Sequence, residues 1–390
     1  MVNVKIILSK KKHITEKIKQ EILDKIRGIP AEVSDIVKEY FTYQIECEAE
    51  YGNNTIVLMQ VGNFYETYEI ENPSYGRCSE LENILNIKKT SKNGNKPHSY
   101  NNPYMSGFAV QYADKNIVRI VNNNYSVVLV DQDGTKTTKR TSRGKLIECE
   151  NRKITRVCSP GTYLDDNTNM NNTNYLMSIY FEFLKDGQQK IAHLAAVDLT
   201  TGHCFTHDVF DHKTRSGECL KEVRRFINSI SPSEIIINDK TKDYLDKTDL
   251  DSLGISNIMH HYRPIESEWE KLKFQEKFLT KVFGEQEIQS TIEAIGLAKY
   301  PDLIVSLIFL LQFAYQHDPN IVTRIRLPEN QLNNQLLVLN DDSILQLNIV
   351  DDVRGETFLG YGGARFVKQG RKKITSLVSL LDHALSLIHI

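Results

Sequence analysis

The stretch TIVLMQVGNFYETYEI at residues 55 to 70 constrains the fold of this chain more than any other. Its first seven residues alternate, with Val57, Met59 and Val61 on one face and Ile56 and Leu58 on the other. A strand that is apolar on both faces belongs in the middle of a sheet that is covered on both sides. A Gly-Asn pair, two aromatic residues and a glutamate follow, and the function of that aromatic-acid cluster is the open question.

Length and composition predict a globular protein with several domains. The chain has 390 residues, of which 40% are hydrophobic and 25% charged, enough for two or three ordinary cores. The longest apolar run, LIVSLIFLLQFAY at 303 to 315, is too short for a bilayer and predicts a buried helix. The basic residues near the N-terminus follow the apolar ones, unlike a secretory signal, so we expect an intracellular protein without a membrane segment.

The six cysteines are far apart and form no C-x-x-C pair. This spacing argues against a zinc site and is typical of reduced thiols in a reducing compartment. We therefore predict no metal site and no catalytic cysteine.

The net charge of −2 hides a local excess of positive charge. Residues 86 to 156 carry 14 Lys and Arg against 5 Asp and Glu, so this stretch is about +9. Within it, GTKTTKRTSRGK at 134 to 145 has no acid and predicts a mobile loop with phosphate ligands. The alternative is a solvated surface loop. The candidate ligands are Lys136, Lys139, Arg140, Arg143 and Lys145.

The order of local patterns divides the chain into three units. Helical periodicity runs from 14 to 50, and strands are predicted at 55 to 70, 116 to 121 and 125 to 132. The motif SPGT at 159 to 162 and the Asn-rich residues after it predict a linker. A second unit follows with a hairpin, a helix and a strand. From about 263 onward only helices are predicted.

An aromatic residue at the end of a strand can project from the sheet. Phe64 occupies such a position, and Glu66 lies on the same side if the strand continues. An exposed ring can stack on nucleobases, and a carboxylate can accept a hydrogen bond from a base edge. The alternative is that Phe64, Tyr65 and Tyr68 are core aromatics and Glu66 a solvated neighbour.

The segment VGNFYETYE resembles the Gly-x-Phe-Tyr-Glu motif of the MutS family of DNA mismatch repair proteins. The segments 101 to 132 and 154 to 162 are similar to later parts of that family's mismatch-binding domain. IAHLAAVDLTTGHCF resembles its connector domain, and LLVLNDDSILQLNI at 336 to 349 resembles the start of its helical core, with Leu339-Asn340 in place of a Leu-Asp. The wording YGNNTIVLMQVGNFYE is most similar to the branch of giant viruses and coral mitochondria.

The resemblance implies a multidomain α/β plus α protein. A helical extension at 1 to 30 precedes a mixed α/β mismatch-binding domain at 31 to 162. A ribonuclease H-like connector domain at 163 to 262 follows, and then the beginning of an α-helical core at 263 to 390.

The resemblance also implies a mechanism and partners. Phe64 stacks on the mispaired or unpaired base from the minor-groove side, and Glu66 accepts a hydrogen bond from that base. The partner is double-stranded DNA with mismatches or small loops, and a full-length parent acts as a homodimer. The expected location is the cytoplasm, including a viral replication site, or the mitochondrion.

The phosphate loop of the family's ATPase domain, Gly-x-x-x-x-Gly-Lys-Ser/Thr, does not occur in this sequence. We therefore expect no enzyme activity and no cofactor in this chain, with ATP and Mg²⁺ needed only in a full-length parent. The last residues, SLVSLLDHALSLIHI, begin like a family segment and then stop, which favours a truncated protein whose unfinished core exposes the apolar face of 303 to 315.

Two other functions stay open at this stage. The connector resembles the ribonuclease H fold, and Asp198, Asp208 and Asp211 are candidate metal ligands for a metal-dependent nuclease, although a turn-capping role suffices for Asp198. The other alternative is a non-functional remnant whose domains fold without binding DNA.

Overall fold

The computed structural model describes residues 16–140, 146–163, 174–184, 189–211, 217–284 and 290–330. The helices within these ranges are α1 (Glu16–Arg27), α2 (Asp35–Tyr51), α3 (Cys78–Leu85), α4 (Ala113–Val121), α5 (Glu218–Ile230), α6 (Lys247–Leu253), α7 (Leu272–Phe283), α8 (Thr291–Ala294) and α9 (Pro301–His317). The strands are β1 (Thr55–Val61), β2 (Phe64–Ile70), β3 (Tyr75–Gly76), β4 (Thr90–Ser91), β5 (Tyr104–Ala109), β6 (Ser126–Arg140), β7 (Leu146–Cys158), β8 (Tyr175–Leu184), β9 (Gln189–Asp198), β10 (Cys204–Phe210), β11 (Glu234–Asn238), β12 (Met259–Arg263) and β13 (Glu329–Asn330).

The first sheet has β1 near its centre and is covered on both faces. Its described strands follow the order β4-β5-β2-β1-β6-β7, with β3 paired to β2. Val57 and Met59 of β1 pack against α2, and Ile56 and Leu58 pack against α3 and α4. The prediction of a covered central strand is therefore confirmed, because both of its apolar faces meet helices.

The strand predicted at 116 to 121 is wrong, because these residues belong to α4. The run NIVRIV is short and apolar, and such a run fits a strand and a helix equally well by itself. Ala113, Ile117, Ile120 and Val121 recur at helical spacing and contact the sheet on one side of α4. Packing therefore decides in favour of the helix.

The mobile loop predicted at 134 to 145 is wrong for residues 134 to 140, which form the outer part of β6. This part of β6 pairs with β7, after an irregularity between Gln132 and Lys136. Three threonines lie here, and β-branched residues favour strands. Residues 141 to 145 lie outside the described ranges.

The second sheet has the described strand order β12-β11-β8-β9-β10-β13. Strands β8, β9 and β10 are antiparallel neighbours, and β11 and β12 extend the sheet in parallel. Helix α5 packs on one face and α9 on the other. The predicted order of hairpin, helix and strand is confirmed by β9, β10, α5 and β11.

Helix α9 contains the apolar run at 303 to 315. Its composition predicts a buried helix, whereas an unfinished core predicts that its apolar face is exposed. The prediction of an exposed apolar face is wrong, since four of its residues are fully buried, namely Leu307, Ile308, Leu310 and Leu311. Although α9 falls in the predicted third unit, it packs on β8 and β9 of the second sheet. Residues 303 to 311 are all buried, as expected of a helix that is apolar around most of its circumference.

No helix in the part of the chain that the structure describes combines the length and the apolar character needed to cross a membrane. The segment 336 to 349, which resembles the family's helical core, lies outside the described residues.

Candidate nucleic-acid interface

The Gly62-Asn63 turn joins β1 to β2 and places Phe64 at the tip of a hairpin. Val61 pairs with Phe64 across this turn. Of the two turn residues only Gly62 has a positive φ, at +60°. This is the pattern of a type II′ turn, which favours glycine at its first central position.

The three aromatic residues of β2 differ in exposure. Phe64 is 52% exposed, whereas Tyr65 and Tyr68 are buried on opposite faces of the sheet. The hydroxyl of Tyr65 donates to the Asp131 carboxylate at 2.6 Å. The interpretation as core aromatics is therefore right for the two tyrosines and wrong for Phe64.

Small residues on β5 leave Phe64 and Glu66 uncovered on one side. Ala109 pairs with Phe64, and Gly107 pairs with Glu66. A Cβ at Gly107 would lie 2.3 Å from the carbonyl oxygen of Tyr65, so no larger residue fits there without moving the strands. Because paired residues share a face, the ring and the carboxylate remain open to a ligand from the β5 side.

The Glu66 carboxylate is oriented by a hydrogen bond from the Tyr68 hydroxyl. Burial raises the pKa of Tyr68, and the bond to Glu66 raises it further, so Tyr68 remains a donor. Lys92 Nζ lies 5.0 Å from the centre of the Tyr68 ring. Burial lowers the pKa of Lys92 and the charge of Glu66 opposes that shift. The sequence analysis did not name Lys92 as a site residue. Its position in the basic stretch 86 to 156 was the feature that could have identified it.

Two family models match this chain in succession. The model of MutS domain I matches residues 42–167, which include the hairpin, and the model of MutS domain II matches residues 174–314. Together they cover well over half of the chain. The chain belongs to the MutS family. The family resemblance inferred from VGNFYETYE is thereby confirmed.

Named relatives support the same family. A protein from Acanthamoeba polyphaga mimivirus, named as a MutS homologue in DNA mismatch repair, is 29% identical over 80% of this chain and 29% of its own length. The DNA mismatch repair protein MutS of Chlorobium phaeobacteroides is 28% identical over 55% of this chain and 21% of its own. The DNA mismatch repair protein MutS of Staphylococcus aureus is 28% identical over 55% of this chain and 20% of its own length. The chain thus spans less than a third of the length of these MutS relatives.

The predicted backbone contacts of the MutS chain lie in the basic stretch 134 to 145, of which residues 134 to 140 belong to β6. Lys136 lies in β6, and its ammonium group is 3.7 Å from the carboxylates of both Glu148 and Glu150 on β7. Two acids across the strand thus offset the charge of Lys136, which is half exposed. The structure describes no side chain for the other four predicted contacts, which are Lys139, Arg140, Arg143 and Lys145.

The three aspartates considered for a nuclease are not brought together. Asp198 is fully buried and caps a turn, accepting a hydrogen bond from the Thr201 hydroxyl at 2.6 Å. Asp208 pairs with His193 at 2.7 Å, and Asp211 accepts bonds from two backbone N–H groups. The turn-capping role of Asp198 is confirmed. The arrangement gives the nuclease alternative no common metal site among these three residues.

The two matched parts of the MutS chain meet around Glu234, which is fully buried. Its carboxylate accepts hydrogen bonds from the Ser159 hydroxyl at 2.6 Å and the Gly161 N–H at 2.8 Å, and it lies 2.8 Å from Nε2 of His261. Burial raises the pKa of Glu234, but the hydrogen bonds of His261 and Ser159 and the charges of His261 and His317 together outweigh it, and the net pKa is lowered. The linker predicted at 159 to 162 is therefore a buried turn that holds the two sheets together.

Proposed function

We propose that this part of a MutS protein recognises mispaired or looped DNA by inserting the ring of Phe64 at the defect. The observation that supports this most is the contrast within one motif. Phe64 is half exposed at the tip of the β1–β2 hairpin, while Tyr65 and Tyr68 are buried. An exposed aromatic ring loses little protein packing when it moves into a base stack, and each stacked base contributes about 1–3 kcal/mol.

Discrimination follows from the mechanics of the DNA. A mispaired step is weakly stacked and easily kinked, so opening it costs less than opening a matched step. Glu66 adds polarity beside the ring. Its carboxylate, held by the Tyr68 hydroxyl, accepts a hydrogen bond from the displaced base. Lys92 places a positive charge nearby and reduces the repulsion between Glu66 and phosphates.

The remaining features of the family extend the proposal to a full-length parent. There, a homodimer inserts Phe64 from one subunit, and an ATPase domain with ATP and Mg²⁺ converts recognition into a signal. In this chain the second sheet serves as a ribonuclease H-like connector. The basic stretch 134 to 145 contacts the DNA backbone. The mimivirus relative supports a viral, cytoplasmic setting.

The test compares binding of residues 1 to 390 to matched and singly mismatched duplexes at two salt concentrations. Phe64→Ala is expected to weaken mismatch binding by about 1–3 kcal/mol, the free energy of one stacked base, and to leave matched binding unchanged. The control is Phe210→Ala, since Phe210 is equally exposed but lies at the end of β10 in the other sheet. Equal binding of both duplexes by the unmodified protein and by Phe64→Ala refutes insertion, and no binding in any variant supports the remnant alternative.

A second variant tests the role of Glu66. Tyr68→Phe removes only the hydroxyl that orients the carboxylate, and one lost hydrogen bond corresponds to about 1 kcal/mol, or roughly fivefold in mismatch affinity. Circular dichroism checks that the variant is folded. An unchanged mismatch preference would show that the orientation of Glu66 does not matter for recognition.

A further inference from the structure

Four side chains converge where the N-terminus of α9 crosses the second sheet. Glu182 lies on β8, His193 on β9, Asp208 on β10 and Asp302 in the first turn of α9. Spacing along the sequence predicted no metal site here, because these residues are spread over 120 positions. The sheet and the covering helix bring them together.

Backbone contacts fix this convergence. Asp208 is paired directly with His193 across β9 and β10. The hydroxyl of Ser306, one turn after Asp302, donates to the carbonyl oxygen of His193 at 2.7 Å. Helix α9 is thus held over β9 at the residue whose ring Asp302 approaches. Ligand atoms of Glu182, His193 and Asp302 all lie within 4.8 Å of one another.

The two ring nitrogens of His193 have different surroundings. Nδ1 is bonded to the Asp208 carboxylate at 2.7 Å, while Nε2 is buried and has no hydrogen-bond partner among the described residues. The His193 side chain is only 6% exposed, so its ring is shielded from bulk solvent. The nearest carboxylate oxygen, Oε2 of Glu182, is 3.6 Å from Nε2, beyond hydrogen-bond distance.

Two carboxylates and the His193 imidazole face one point, and a positive charge there, either a bound cation or the protonated imidazole itself, offsets the two negative charges. Ligand atoms of Glu182 and Asp302 lie within 4.8 Å of each other, so the two carboxylates repel each other when both are ionised. Two ligands of one tetrahedral zinc ion are roughly 3.3–3.5 Å apart, since each bond is about 2.0–2.2 Å long. The separation of 3.6 Å between Nε2 of His193 and Oε2 of Glu182 is close to such an edge.

We propose that Glu182, His193 and Asp302 bind one divalent transition-metal ion, with zinc as the preferred ion and manganese as a weaker one. One imidazole and two carboxylates are a ligand set for such ions, and a fourth position is left for water. Asp208 orients the imidazole by its bond to Nδ1, as carboxylates commonly do beside metal-bound histidines. The ion fastens the start of α9 to β8 and β9, and this role does not depend on the proposed recognition of DNA.

Metal binding is tested on residues 1 to 390 after treatment with a chelator and removal of the chelator. Calorimetric titration with Zn²⁺ is expected to show one site, and Mn²⁺ to bind the same site more weakly. Glu182→Gln and Asp302→Asn should each lower the affinity for both ions at least tenfold. Asp208→Asn should lower it by roughly 10–100-fold. The control is Glu222→Gln, whose exposed side chain on α5 pairs with Arg225. Because Mn²⁺ binds thiolates poorly, its binding reports this site and not binding to any of the six cysteines.

A stability measurement keeps the test informative if a variant folds differently. In the presence of chelator, Asp302→Asn is expected to melt at the same temperature as the parent or higher, because the repulsion with Glu182 is removed. On addition of Zn²⁺ the parent should gain stability and the variant should not. Zinc binding that is unchanged in Glu182→Gln and Asp302→Asn, or absent from the parent, overturns the proposal and leaves a protonated His193 as the cation between the two acids.

Discussion

Replacing Glu234 by glutamine should loosen the junction between the two sheets. The carboxylate is fully buried and has three partners, namely Ser159, Gly161 and His261. Hydrogen bonds to a charged group contribute about 1.5–3 kcal/mol each, against about 1 kcal/mol for neutral pairs. The glutamine oxygen still accepts from Ser159 and Gly161, each bond weakened by roughly 1 kcal/mol, but its NH2 group cannot accept from His261 and that bond of about 1 kcal/mol or more is lost. We therefore expect the free energy of unfolding to fall by about 3 kcal/mol.

The assay is urea unfolding followed by fluorescence and circular dichroism, with Glu71→Gln as the control. Glu71 is exposed, and its ion pair with Lys89 spans 3.8 Å, so its replacement should change stability by less than about 0.5 kcal/mol. If Glu234 fastens the two sheets together, its variant should also show two separate transitions. A loss for Glu234→Gln no larger than that of the control would refute the reasoning.

The pH dependence gives the same prediction a second readout. The pKa of Glu234 is lower in the folded chain than its unfolded value of about 4.3. Its contribution to stability is therefore present above pH 4.3 and is lost as pH falls further. Glu234→Gln should remove this part of the acid sensitivity, and an unchanged acid profile would contradict the assigned pKa direction.

Two further predictions concern the same junction. Gly161→Ala would place a Cβ 2.8 Å from the Cβ of Glu234, so we expect the free energy of unfolding in urea to fall by about 1–3 kcal/mol. Gly94→Ala, in open space, should leave it unchanged. Burial lowers the pKa of His317 to about 4, so the unfolded chain takes up this proton first as pH falls below about 6.5. Between about pH 6.5 and pH 4 the free energy of unfolding should fall by up to about 1.4 kcal/mol per pH unit. In His317→Leu this pH dependence should be weaker. An equal pH dependence in both proteins would contradict the prediction.

Local patterns predicted several elements correctly because their residues carry enough information alone. The strand at 55 to 61 is apolar on both faces, which only a covered strand satisfies, and the structure places it between two layers of helices. The hairpin, helix and strand of the second sheet were also predictable, because turn residues separate runs of clear period. The family motif marked Phe64 and Glu66, whose role in binding stays a prediction.

Short or ambiguous runs were decided by packing. Residues 116 to 121 are compatible with the periodicity of a strand and with that of a helix. They form a helix because this places Ile117 and Ile120 in contact with the sheet. The basic residues from 134 to 140 look like a loop in sequence, but pairing with β7 makes them a strand and puts Lys136 between two acids. Charge alone does not reveal which neighbours neutralise it.

The sequence by itself determined the family, the covered central strand and the position of the aromatic-acid motif, because these depend on residues that are adjacent in the chain. Only the tertiary structure decided that Phe64 is exposed while its neighbouring tyrosines are buried. It also decided that Glu234 joins the two sheets, and that Glu182, His193 and Asp302 share one point. These features depend on contacts between residues far apart in sequence, and no local pattern carries that information.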